Sequence, residues 1–209
     1  MNNKPATQVA VIAAFLQIAI QLIFIYIGTD AFGMNVYLRY LLSGLSMLMY
    51  LLVLVFLLSV LKFFNEKNSI ITAFGVYIVF TIFYNILNMI VGMWVTNLVT
   101  YYTVTSIFHF LLVLYVVTMS FMVKHPVIRK GFVLFAILSL ITAVTVMALP
   151  MLFGLLHIGF QAYRYIYLVN VLPPVAAIVI FNKTTESTKN PGFTGDKPLF
   201  NDDRFKPLP

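Results

Sequence analysis

Residues Leu51 to Leu58 read LLVLVFLL. No polar side chain interrupts the run, so neither face of the segment can be turned to water. A strand of a membrane barrel alternates apolar and polar positions over roughly ten residues, and alternation is absent here. A hydrocarbon interior offers backbone groups no partner, so the segment must pair its own N–H and C=O groups as an α-helix. Working outward, the apolar stretch extends from about Tyr37 to Leu61, enough helix to cross a hydrocarbon core of roughly 30 Å.

Similar blocks lie on both sides. They run from about Ala6 to Gly28, Ile70 to Val95, Tyr101 to Val123, Gly131 to Pro150 and Phe160 to Phe181. The sequence therefore predicts an all-α polytopic membrane protein with six transmembrane helices. Residues 1–182 form the spanning domain and 183–209 a flexible, disordered C-terminal tail on the cytoplasmic side. Composition agrees: 62% of the 209 residues are apolar and 9% charged, against about half and about a quarter in soluble domains. Met151 to Ile158 reads either as an extension of span five or as an interfacial turn, with Pro150 and Gly154 favouring irregularity. The first span does not read as a cleaved signal peptide, because its apolar stretch is long and contains Gln17 and Gln21.

Orientation follows from Lys and Arg near the span ends. Arg39 and Arg164 fall on one side. The rest of the thirteen basic residues fall on the other if both termini face the cytoplasm, which is the orientation expected. The net charge of +7 is thus explained by topology. No basic stripe marks a nucleic-acid surface, and the expected surroundings are the lipid bilayer, with a bacterial plasma membrane as the location. Cysteine is absent, which excludes disulfides and thiol chemistry.

Polar groups at membrane depth are where function shows. Gln17 and Gln21 share a face of span one at four-residue spacing, and Asn85 and Asn88 nearly do so on span three. Such amides join helices, each contributing about 0.6 to 2 kcal/mol, or line a pocket. His109 in span four reads as an imidazole hydrogen-bonded between helices or as a ligand contact. In span six, Pro173 and Pro174 free the carbonyls of Val169 and Asn170, predicting a kink. Broken helices line many carrier sites. Gly44, Gly75 and Gly92, with Ser43, are candidates for close helix approach. No Asp or Glu lies centrally in any span, and no zinc, Walker, dinucleotide or nucleophile-elbow pattern occurs. Neither a cofactor nor a metal is expected, and a non-enzymatic role is favoured. The tail NKTTESTKNPGFTGDKPLFNDDRFKPLP, Asn182 to Pro209, carries spaced Phe193, Leu199, Phe200 and Phe205. It reads as a solubilising end or as a docking peptide.

Three functions are compatible. The first is an accessory protein acting with a membrane or cytoplasmic protein partner. The second is a carrier or permease component for a neutral or apolar solute, with its site among Gln17, Gln21, Asn85, Asn88, His109 and Asn170. The third is a lipid-active enzyme using His109, with Arg164 pairing a headgroup phosphate, which would need a second catalytic group near His109. Absence of catalytic constellations places the accessory reading first.

Overall fold

The structure is a computed structural model that describes residues 4–27, 36–94, 98–156 and 166–189. The described residues are helical apart from short connections. The helices are α1 (Lys4–Ile27), α2 (Val36–Phe63), α3 (Asn68–Trp94), α4 (Leu98–Phe121), α5 (Pro126–Leu155), α6 (Ile166–Val169) and α7 (Leu172–Lys189). Five of them, α1 to α5, are long and apolar enough to cross a membrane. The protein is a multi-pass helical membrane protein.

The helix ends have local causes. Asn65 takes the left-handed conformation (φ 51°), which Asn tolerates better than most residues. The N–H of Asn65 then donates to Lys62 O and that of Glu66 to Leu61 O, each at 3.1 Å, so α2 ends in a Schellman motif. Pro126 opens α5 at the first helical position, where its missing N–H costs nothing. The His125 carbonyl accepts from Ile128 and Arg129.

Helices pack as a closed ring. Each of α1 to α5 contacts its sequence neighbour, α5 contacts α7, and α7 returns to α1, with α6 lying against both α1 and α5. At the end carrying the α2–α3 and α4–α5 turns, the ring interior is solid. Phe74 of α3 meets Phe132 and Phe135 of α5 at ring-centroid distances of 5.6 and 6.2 Å. Phe56 of α2 meets Phe181 of α7 at 6.3 Å. Leu54, Leu57, Leu61, Ile128 and Ile180 are wholly enclosed around them. The outward faces carry exposed Val9, Ile12, Phe15, Leu41, Val79, Phe83 and Leu111, the surface a helix presents to lipid.

Three details differ from the sequence expectation. First, α5 runs past the expected span end at Pro150 to Leu155, which for Met151–Leu155 is the extension rather than the interfacial turn. Second, α7 continues to Lys189, past Asn182. Thr184 and Thr185 donate to Ile180 O and Phe181 O, the back-bonding by which threonine stays in a helix. Residues 190–209, with Phe193, Leu199, Phe200 and Phe205, lie outside the described residues. Third, a Cβ added at Gly44 or Gly75 would meet nothing within 4 Å, so neither marks a close approach. The tight contact is at Gly131 of α5, where an added Cβ would lie 2.6 Å from Ile180 Cγ1 of α7.

Candidate functional site

Beyond the aromatic plug, the other half of the ring is hollow. A cavity of about 430 Å³ opens there, and α1 to α5 and the α6–α7 break all contribute to its wall. The position follows from the helix directions. Lining residues run from Gln17 to Phe24 on α1, Ser43 to Tyr50 on α2, Tyr77 to Asn85 on α3, Ser106 to Val113 on α4 and Ser139 to Met147 on α5. Each stretch lies farther from the Glu66 turn than the packed residues of the same helix.

The glutamines form the floor on the α1 side. Gln21 Nε2 donates to Ser46 Oγ of α2 at 3.0 Å, and Ser46 Oγ donates to Gln17 Oε1 at 3.2 Å. All three side chains are buried. Four-residue spacing places both amides over the same hydroxyl, so one serine joins α1 to α2. One turn along α2, Tyr50 and Tyr77 of α3 bring their hydroxyls to 3.2 Å.

Asn85 behaves differently from an interhelical link. Its Nδ2 donates to Thr81 O of its own helix at 2.7 Å, and Thr81 in turn donates to Tyr77 O at 2.7 Å. This leaves Asn85 on the cavity wall with its amide nitrogen held by α3. Asn88 belongs to α3, and its side chain lies outside the described residues.

His109 is held by rings. Tyr84 stacks on it at 5.4 Å and 15°, Phe80 at 6.2 Å and 21°, and Tyr77 lies tilted at 6.1 Å. Three aromatics of α3 at helical spacing thus fix an imidazole of α4 at the cavity wall. Among the described residues, no Asp or Glu joins it there and no cluster of three metal-ligating side chains occurs.

The double proline produces a break rather than a smooth kink. α6 ends at Val169, Asn170 and Val171 turn, and α7 begins at Leu172. Val171 N bonds back to Leu168 O at 3.2 Å. The Val169 carbonyl, deprived of a donor by Pro173, lies 2.9 Å from Thr142 Oγ1 of α5. Thr142 Oγ1 is also 2.8 Å from Leu138 O, so one hydroxyl proton is shared between two carbonyls. Asn170 and Pro173 both face the cavity, and Pro174 is buried beside them.

The structure therefore gathers Gln17, Gln21, Asn85, His109 and Asn170 around one space. It also adds residues the sequence did not single out: Ser46, Tyr50, Tyr77, Ser139 and Thr142. Their signal was a stripe of hydroxyls at helical spacing, such as Ser43, Ser46 and Tyr50 on α2 and Ser139 with Thr142 on α5. Gln21 Oε1 and Ser139 Oγ are buried with no hydrogen-bond partner. Among the described residues, no Asp, Glu, Lys or Arg contributes to the wall. The chain matches no family model, no curated protein and no solved structure.

Proposed function

We propose that the protein binds a small uncharged solute inside the membrane, as a carrier or permease component for it. The observation that carries this reading is the hollow half of the ring, where amide, hydroxyl and imidazole side chains from separate helices converge on one cavity of about 430 Å³. Ligand pockets typically span about 300 to 1,000 Å³ and combine apolar walls with a few placed polar groups. A break in a helix at the wall adds irregular backbone, the arrangement carriers use at their sites. The described part of the lining is uncharged and favours a neutral solute, because an ion would leave water without a counter-charge there.

In this reading α6 and α7 together make a sixth span, with both termini on the cytoplasmic side. Support comes from the basic residues Lys62, Lys67, Lys124, Arg129 and Lys130, which cluster at the two turns of the solid end. The cavity then opens away from the cytoplasm. The cysteine-free chain suits single-cysteine labelling: Lys67→Cys reacts only from the cytoplasmic side and Leu156→Cys only from the other. The reverse pattern overturns this orientation.

The function is tested by native purification with an N-terminal tag, followed by identification of co-eluting small molecules and proteins. A bound neutral solute is expected, lost from Asn85→Leu and Asn170→Leu variants that still insert normally. A stoichiometric protein partner with no bound solute would instead transfer the function to an accessory role.

A further inference from the structure

Two cations at the solid end stand on the faces that α2 and α5 turn to lipid. On α2, Leu41, Leu48, Val55 and Lys62 follow one another at seven-residue spacing, which returns to nearly the same side of a helix. The three apolar residues are exposed, and so is Lys62. On α5, Lys130 begins a matching series with Ile137 and Val144, and all three are exposed. Each lysine therefore closes an apolar stripe. Both belong to the apolar segments themselves, Tyr40–Phe63 and Pro126–Leu149, whereas Lys67 and Lys124 lie in the turns between helices.

A charge at the edge of hydrocarbon must reach water or a counter-charge. The one acid in the two turns, Glu66, is buried and accepts from the backbone N–H groups of Lys124 and His125. Among the described residues, neither Lys62 nor Lys130 has an ionic partner. The molecule that lies along such a stripe is a lipid, and its phosphate sits at the height where the stripe ends. A zwitterionic headgroup already balances its phosphate with its own amine. An anionic headgroup does not, and its net charge complements an unpaired lysine.

We infer that Lys62 and Lys130 each mark a site for an anionic phospholipid. The headgroup phosphate accepts from the ammonium group. An acyl chain lies on Leu48 and Val55 at the first site, and on Ile137 and Val144 at the second. Neither site depends on the cavity, or on which side of the membrane this end faces.

The test uses the full chain, purified in detergent and mixed with equal amounts of phosphatidylglycerol and phosphatidylcholine that have identical acyl chains. Native mass spectrometry counts the lipids retained. Phosphatidylglycerol is expected to be retained about fivefold in preference. Replacing both stripe lysines, Lys62→Gln with Lys130→Gln, should lower the preference to about twofold or less. Lys67→Gln with Lys124→Gln removes the same charge from the turns and should leave most of the preference in place. Equal retention of the two lipids by the unmodified protein overturns the inference, whatever the variants do. A loss in the turn pair that equals or exceeds the loss in the stripe pair would show attraction to the general charge of this end, and overturns the assignment to Lys62 and Lys130.

Discussion

The backbone N–H of His125 lies 2.7 Å from a carboxylate oxygen of Glu66, and the N–H of Lys124 lies 3.1 Å from the same oxygen. A side chain from the α2–α3 turn thus caps the entrance to α5, three helices beyond α2 in the chain. Phe64 adds a ring contact to His125 at 4.3 Å. Glu66 is buried, so its hydrogen bonds are shielded from water. Glu66→Ala should destabilise the protein by about 2 kcal/mol, read as a fall in melting temperature in detergent. Glu66→Gln, which keeps one carbonyl acceptor, should cost about half as much. An unchanged melting temperature in Glu66→Ala would show that water replaces the carboxylate at no cost.

The Thr142 hydroxyl serves the carbonyl that Pro173 leaves bare. Thr142→Val keeps the shape and removes the donor, and should cost about 1 to 2 kcal/mol. Pro173→Ala restores an N–H four residues beyond Val169 and should make Thr142→Val less costly. A double-mutant cycle on thermal unfolding checks this coupling. Additive effects would mean that the two groups act independently.

Ser46 is the shared partner of Gln17 and Gln21. Ser46→Ala strands both amides and should destabilise the α1–α2 contact by about 1 to 2 kcal/mol. Thermal unfolding of the variant in detergent reads this loss.

Two glycines provide opposite expectations. Gly131→Ala pushes a methyl group against Ile180 and should cost about 1 to 3 kcal/mol. Gly75→Ala meets open space and should be neutral or stabilising by up to about 1 kcal/mol through helix propensity. Unfolding midpoints of the two variants, compared under one condition, decide the matter.

The helical membrane character was legible in LLVLVFLL because eight apolar residues exclude any wet face. The interior of the ring was not legible in the same run. Leu54 and Leu57 are fully buried while Val55 is 45% exposed, yet lipid is as apolar as a leucine core, so composition cannot separate the two. The same ambiguity hid Gly131 and made Gly44 and Gly75 look like contact points. Glutamine, asparagine and histidine stood out because each carries groups that hydrocarbon cannot satisfy. Hydroxyls were harder to read, since a helical serine or threonine can bond its own backbone wherever it points. Exposed Ser59 donates to Val55 O and exposed Thr118 to Leu114 O. Ser46 differs only in what α1 places opposite it.

The contact between α7 and α1 decides what closes the ring. The α1–α2 contact at Ser46 joins two helices that are neighbours in the chain. The wall between α1 and α5, by contrast, is closed only by α6 and α7. Ala10, Ala13 and Ala14 on α1 and Phe132 and Phe135 on α5 are enclosed in the ring so closed. Enclosure of the ring interior therefore depends on a short, broken element as well as on the five long helices.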